Sequence, residues 1–253
     1  MSEIFTKRPR EERAAEAEAA GLQWLRQASD AVAEVVAVGM NTLTTVRVQP
    51  VSPTKETARR AGRELAFIHL AGADAFGSPP DGWEGPNYIG IQPQECRPTP
   101  HWGLFYAEQR VLPFARAAHR VGHLDRDGLD WVERASSAVA ETHWDVEPAR
   151  IHGDLWSGNL LFGADGPVFI DPAAHGGHPE TDLGMLALFG APHLDDIYAG
   201  YREVRTLPKD FREWIPVHQL HPLAVHTYTH GPGYARPLTV AAMATCERLD
   251  RFR

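Results

Sequence analysis

Apolar positions along the chain change their spacing several times, and each change marks an element. Residues 11–27 are mostly strong helix formers, with Ala14, Ala15, Leu22 and Leu25 on one helical stripe. Glu18 falls in that stripe, so its carboxylate is expected to face inward and to need a cationic partner. Residues 4–7 read as a short strand before this helix, and residues 35–38 and 43–48 read as two more. The last of these runs into Gln49-Pro50-Val51-Ser52-Pro53, which cannot continue a central strand. That step sets the expected boundary between an N-terminal lobe, residues 1–48, and a C-terminal lobe, residues 49–253. Ser52 and Pro53 suggest the cap and first residue of a helix carrying Ala58, Ala61, Leu65 and Ile68 inward and ending near His69. Residues 76–100 are dense in Gly and Pro, which predicts an ordered but irregular loop. Helical spacing returns at Phe105, Glu108, Leu112, Ala115 and His119, then at Leu129, Val132, Ser136 and Val139. Three further helices are expected near residues 182–189, 194–204 and 217–228.

Composition narrows the partners more than the fold. With 253 residues, 43% of them hydrophobic and 23% charged, the chain can bury the core of one large domain or two small lobes. A formal net charge of -8 argues against binding a phosphate backbone, which requires clustered Lys and Arg, so no nucleic-acid partner is expected. Cys96 and Cys246 lie far apart and in no CxxC arrangement, which indicates neither a disulfide framework nor a thiolate zinc site. No apolar run has signal-peptide length or approaches the ~20 residues of a membrane helix. A soluble, cytoplasmic protein with no membrane partner, acting as a monomer, is the expectation.

The chemistry concentrates in residues 151–171, Ile-His-Gly-Asp-Leu-Trp-Ser-Gly-Asn-Leu-Leu-Phe-Gly-Ala-Asp-Gly-Pro-Val-Phe-Ile-Asp. Two apolar runs, residues 160–162 and 168–170, flank the turn signal Gly163-Ala164-Asp165-Gly166 and predict a hairpin. Asn159 precedes one strand and Asp171 ends the other, so antiparallel pairing brings both oxygen-bearing side chains to the same end. Mg²⁺ favours such sites, taking one or two protein oxygens and completing its shell with water and phosphate oxygens. Asp154 precedes Asn159 with the Asp-x-x-x-x-Asn spacing of kinase catalytic loops, in which the Asp accepts the proton of the attacked hydroxyl. An isolated pair at this spacing is common by chance. Its meaning comes from His152-Gly153 before it and the hairpin ending in Ile170-Asp171 after it.

His152-Gly153-Asp154-Leu155-Trp156-Ser157-Gly158-Asn159 resembles the catalytic signature of the fructosamine and ketosamine 3-kinases. Aminoglycoside phosphotransferases and choline kinases share the His-Gly-Asp and Asn elements but usually lack the Leu-Trp-Ser-Gly filling. The resemblance extends to Ile170-Asp171-Pro172-Ala173, to residues 176–183 and 188–190, and upstream to Phe76-Gly77, residues 87–90, Pro93-Gln94 and the run from Trp102 to Pro113. It implies an α+β, protein-kinase-like, two-lobed fold: a short, truncated β-containing N-lobe and a larger, mainly helical C-lobe with the catalytic hairpin embedded in it. It further implies ATP and Mg²⁺ as cosubstrates and phosphorylation of the sugar 3-hydroxyl of ketosamines, free or protein-bound, a deglycation reaction because the phosphorylated adduct is unstable. Carried over residue by residue, Asp154 is the base, Asn159 and Asp171 are the metal ligands, and Lys7, paired with Glu18, contacts phosphate. Trp156 lines the sugar site with His226 as a second candidate, and backbone groups of Thr45, Val46 and Val48 bind adenine.

Two departures from the pattern stand out. Only six residues precede Lys7, so the Gly-rich phosphate-covering loop of kinase-like N-lobes is absent from this sequence. The linker Thr44-Thr45-Val46-Arg47 lacks the acidic and aromatic residues often found there. Among 13 histidines, His175-x-x-His178 invites a zinc reading, though Gly176-Gly177 suggests a loop rather than a rigid ligand-bearing helix. Asp182 is expected to order the catalytic loop rather than touch substrate. Two other functions compete: a kinase of another small hydroxylated amine, aminoglycoside- or choline-like, and a non-catalytic module that binds nucleotide or sugar amine.

Overall fold

Three short strands open the chain in a computed structural model that describes residues 3–252. β1 (Ile4–Lys7), β2 (Val35–Gly39) and β3 (Thr42–Val46) form an antiparallel sheet in the order β1-β3-β2, with Lys7 opposite Leu43. Asn41 makes the β2–β3 turn at φ 55°, a backbone state that Asn tolerates better than most residues. α1 (Ala14–Arg26) packs beneath this sheet and buries Leu22, Trp24 and Leu25.

α2 (Lys55–Leu70) begins later than the sequence suggests. Its cap is Thr54, not Ser52. The Thr54 hydroxyl accepts from the Thr57 N–H at 3.2 Å while the Thr57 hydroxyl accepts from the Thr54 N–H at 2.9 Å, a reciprocal pair closed to Ser52, whose third residue on is Lys55, a side chain with no acceptor. The stretch 76–100 is likewise more ordered than expected. It contains a small hairpin of β4 (Asn87–Ile89) and β5 (Gln92–Gln94), whose strands are too short to display an alternating pattern.

α3 (Trp102–Phe105), a π-helical turn at Tyr106–Val111 and α4 (Leu112–Arg120) run on from one another, followed by α5 (Arg126–Glu141), whose cap Asp125 accepts from the Gly128 N–H at 2.7 Å. β6 (Ala149–Ile151) then pairs with β9 (His175–Gly177), and β7 (Leu160–Gly163) pairs with β8 (Gly166–Phe169) in the register Leu160 to Phe169. These two ladders frame the loops of interest. Four helices complete the chain: α6 (Glu180–Leu188), α7 (Leu194–Val204), α8 (Phe211–His230) and α9 (Ala235–Phe252). α8 starts before the expected residue 217 despite Pro216 in its second turn, and α9 was not anticipated although Leu238, Ala242 and Leu249 are buried on one of its faces.

Two apolar clusters form the core, one around α1, α2, α7 and the β7–β8 hairpin, the other around α3–α5, α8 and α9. α2 and α7 meet backbone to backbone: a Cβ on Gly62 would lie 1.9 Å from the Ile197 carbonyl oxygen, and one on Gly200 would lie 1.8 Å from that of Arg59. Cys96 and Cys246 are free thiols, and no helix among the described residues is long and apolar enough to cross a membrane.

His178, His218 and His221 are buried in the C-terminal part, and burial lowers all three pKa values, that of His218 to about 3. A histidine whose folded pKa lies below its unfolded value stabilises the fold above the unfolded pKa and forfeits that stability as pH falls below it. Unfolding free energy measured by urea titration is therefore expected to fall below pH ~6.5, with each such ring contributing up to about 1.4 kcal/mol per pH unit. A flat stability profile between neutral and mildly acidic pH would show that these rings take up protons without unfolding.

Candidate active site

The loop after β6 owes its shape to a buried carboxylate. Asp182, on α6, accepts from the backbone N–H of His152 at 2.7 Å and of Gly153 at 2.9 Å. Its Oδ2 also lies 3.1 Å from His69 Nε2, and His69 Nδ1 lies 2.8 Å from the Tyr201 hydroxyl. Burial alone would raise the Asp182 carboxyl, but the hydrogen bonds from His69 and the Gly153 N–H outweigh it and hold the group below the ordinary carboxylate range. Burial lowers His69, so the ring is neutral, donates from Nε2 to Asp182 and accepts the Tyr201 hydroxyl proton at Nδ1. His152 has the same tautomer. Its Nε2 donates to the Ile170 carbonyl at 2.8 Å, and its Nδ1 accepts from the Asp154 N–H at 3.2 Å. Gly153 sits at φ 79°, where a Cβ would come within 2.3 Å of the Ala173 carbonyl oxygen, so only glycine fits this turn.

The hairpin brings the remaining groups together. Asn159 Nδ2 donates to the Asp154 carbonyl at 2.8 Å and lies 3.2 Å from Asp154 Oδ2, while the Ile170 N–H donates to the Asn159 carbonyl at 3.0 Å. Asp171 follows Ile170 at φ 54°. Lys7 reaches across from β1: its Nζ lies 2.6 Å from Glu18 Oε2 and 2.9 Å from Asp171 Oδ1. The cation that the inward-facing Glu18 requires is therefore Lys7. Burial pushes the Asp154 carboxyl up to about 8, with the charge of Asp171 adding to the effect. Glu18 is pushed up to about 7 by burial, against the pull of Lys7. Burial would lower Lys7, but its two carboxylate neighbours outweigh that and raise it.

Two cavities meet at these residues. One, of about 500 Å³, is lined by Asp154, Trp156, Asn159, Asp171, Lys7 and Glu18, with the β4–β5 residues Asn87 and Tyr88 on its far wall. Arg8 and Arg10 also line it; the cluster Lys7-Arg8-Pro9-Arg10 was the signal for them. The other, of about 330 Å³, shares Lys7, Glu18 and Asp171 and continues as an apolar slot between Leu22, Ala33, Leu43 and Val46 on one side and Leu161 and Ile170 on the other. Thr45 and Val48 line it too. The N–H groups of Val46 and Arg47 are already engaged, by the carbonyls of Glu34 at 3.0 Å and Glu3 at 2.9 Å.

Trp156 is 42% exposed at the mouth of the larger cavity, not packed in the core. His226 is not brought to that cavity. It stacks on His230 and packs at a tilt against Phe189 and Tyr234, and Phe189 bridges it to the edge of Trp156. The zinc reading fails: His175 Nδ1 lies 2.8 Å from the Ala173 carbonyl, His178 Nδ1 accepts from the Glu180 N–H, and no group of three His, Cys, Asp or Glu among the described residues could hold a metal ion. His69 carried no sequence signal, since its partner Asp182 lies far away in the chain.

Residues 3–246 match the fructosamine kinase family. The chain belongs to that family. It is 31% identical over 226 residues to a Vibrio parahaemolyticus protein named a probable ketoamine kinase, covering 87% of this chain and 76% of that one. A Thermus thermophilus protein of the same name is 29% identical, covering 90% of this chain and 81% of its own. Among solved structures, the "putative fructosamine-3-kinase" of Thermobifida fusca YX-ER1 superposes with a TM-score of 0.90 at 43% identity, covering 97% of this chain and 86% of that one. AMP-bound spectinomycin phosphotransferase, at 11% identity and a TM-score of 0.60, shares the fold. This fructosamine kinase family member therefore has a protein-kinase-like, two-lobed α+β fold, and as a sugar-amine kinase it is an ATP-dependent phosphotransferase.

Proposed function

We propose that the protein transfers the γ-phosphoryl group of ATP to the 3-hydroxyl of a fructosamine- or ribulosamine-type ketosamine, a deglycation step in the cytoplasm. The observation that carries this reading is the convergence of Asp154, Asn159, Asp171 and the Lys7–Glu18 pair on one cavity, with a largely apolar slot of about 330 Å³ beside it. The free thiols are consistent with a reducing compartment.

The residues fit a magnesium ion. Asn159 directs its amide N–H groups at Asp154, which leaves its carboxamide oxygen to join the Asp171 carboxylate as the small, all-oxygen donor set that Mg²⁺ favours. When bound, the ion supplies neutralisation of the phosphate charge. The chain's own residues do the rest. Lys7, oriented by Glu18, contacts the phosphates. Asp154, held by its N–H bond to His152 and flanked by Asn159, accepts the proton of the attacking hydroxyl. Trp156 presents an indole face at the mouth, against which the apolar side of a sugar can lie. Thr45 and Val46 line the slot from within β3, and the backbone of Val48, past the end of that strand, offers hydrogen-bonding atoms for the adenine edge.

The test is transfer from ATP to synthetic fructosyl- and ribulosyl-amines, with the position of the new phosphate read by NMR. Phosphorylation of an aminoglycoside or choline in place of a ketosamine would move the acceptor assignment, and ATP binding without transfer to any of them would defeat the catalytic reading. Asp171→Ala is expected to abolish magnesium-dependent nucleotide binding in calorimetry, whereas binding that keeps its magnesium dependence would remove Asp171 from the donor set.

A further inference from the structure

The stretch 76–94, which contains the β4–β5 hairpin, crosses from the helical part of the chain to α1, the helix that carries Glu18. Its feet are fixed. Asn87 Nδ2 donates to the Ala173 carbonyl at 2.7 Å, Gln94 Nε2 lies 2.7 Å from His221 Nε2, and the Gly77 N–H donates to the Gly176 carbonyl at 2.7 Å. Its outer side meets the entry to α1 at two points. The Tyr88 hydroxyl donates to the Glu12 carbonyl at 3.0 Å, and the Arg13 guanidinium lies over the Trp83 ring, 4.5 Å from its centroid. Trp83 is buried and its indole N–H donates to the Pro86 carbonyl at 3.1 Å, so the ring under Arg13 is itself held in place.

The entry to α1 depends on such a hold. Arg13 is the N-cap residue yet gives the helix no side-chain cap, and it sits at φ 67°, a left-handed state that a non-glycine residue keeps only where its surroundings enforce it. Glu18 stands in the second turn of the same helix, with its Oε2 2.6 Å from Lys7 Nζ. Successive turns are joined by hydrogen bonds, among them that from the Ala17 N–H to the Arg13 carbonyl at 2.9 Å, so a shift at residues 12 and 13 carries Glu18 with it. We infer that Tyr88 and Arg13 are positioning residues for phosphoryl transfer: they clamp the start of α1 against the β4–β5 segment and so hold Glu18 on Lys7. The inference rests on the assignment of Lys7 to the nucleotide phosphates. The Tyr88 side chain reaches Glu12 through its hydroxyl, while the residue also lines the Asp154 cavity, and this separates a positioning role from acceptor contact.

Tyr88→Phe keeps the ring and removes only the hydroxyl. The probe is the magnesium complex of non-hydrolysable AMP-PNP, titrated calorimetrically at pH 8, above the value of about 7 to which burial pushes Glu18. Tyr88→Phe should weaken its binding by about three- to tenfold, the span of one hydrogen bond. Amide exchange at residues 17–20 should quicken by a similar factor while exchange in α5 and α8 stays unchanged, a pattern that general destabilisation does not give. The KM for a fructosyl-amine acceptor should stay within about twofold of the parent. Arg13→Gln should weaken analogue binding by about two- to fivefold, and Arg13→Lys, which keeps a cation over Trp83, should restore it. Glu18→Gln alone should also weaken binding, and Tyr88→Phe added to it should cost nothing further. If Glu18→Gln leaves binding unchanged, the phosphate role of Lys7 fails and the inference falls with it. If Glu18→Gln weakens binding but Tyr88→Phe does not, or the two losses add in full, or exchange at residues 17–20 is unaltered, the inference alone is overturned.

Discussion

Asp154→Ala is expected to lower kcat by about 10²–10⁴-fold while leaving the dissociation constant for magnesium nucleotide within about twofold. The asymmetry follows from what Asp154 touches. Its backbone is fixed by His152 and its side chain by Asn159, and the Lys7 and Asp171 contacts that face the nucleotide lie on other elements. In the free protein the carboxyl is pushed up to about 8, so the unprotonated base form grows as pH rises through that value. kcat/KM, which reports the free enzyme, should accordingly climb with pH up to about 8. The profile of kcat should be displaced to lower pH, because a cation offsetting Asp171 removes one cause of the shift. Coupled ADP-release kinetics across pH measure both. An equal loss of nucleotide affinity in the Ala variant would show that Asp154 holds the nucleotide rather than the acceptor hydroxyl.

Asp182→Ala is expected to cost about 3–5 kcal/mol of stability, in the range seen when one partner of a buried charged network is removed. Two backbone N–H groups, those of His152 and Gly153, and the Nε2 proton of His69 would lose their acceptor in a site that is 1% exposed. Asp182→Asn keeps one acceptor oxygen and should lose less. The role is positional, so the Asn variant should show a reduced kcat with little change in nucleotide KM. Urea unfolding of the Ala variant at the parent midpoint would mean that water replaces the carboxylate and that the loop is ordered by other means.

What the sequence displays of this molecule depends on how far apart the cooperating residues lie. Asp154, Asn159 and Asp171 sit in one short stretch whose turn chemistry dictates its pairing, and the hairpin register follows from Gly163-Ala164-Asp165-Gly166 without further information. Glu18 was legible because a lone carboxylate in an apolar stripe needs a cation. His69 was not, because its partnership with Asp182 depends on how α2 docks on α6 and α7. The β4–β5 hairpin was hidden by strands of three residues and by Pro93, and the true start of α2 by a second plausible cap two residues upstream. His226 is a different case. It lies on the same helix face as His230, and the two rings stack on each other away from the catalytic cavity.

Lys7 is already shared between Glu18 and Asp171 when nothing is bound. The resting lysine is thus already neutralised, and a stray phosphate or sulfate that reaches for it must break an existing pair without offering Asp171 a substitute. A nucleotide escorted by its own divalent ion brings replacements for both members at once: phosphate oxygens for the ammonium and a metal for the carboxylate. Lys7 should therefore yield neither to inorganic anions nor to metal-free nucleotide, and open only to the complete cosubstrate.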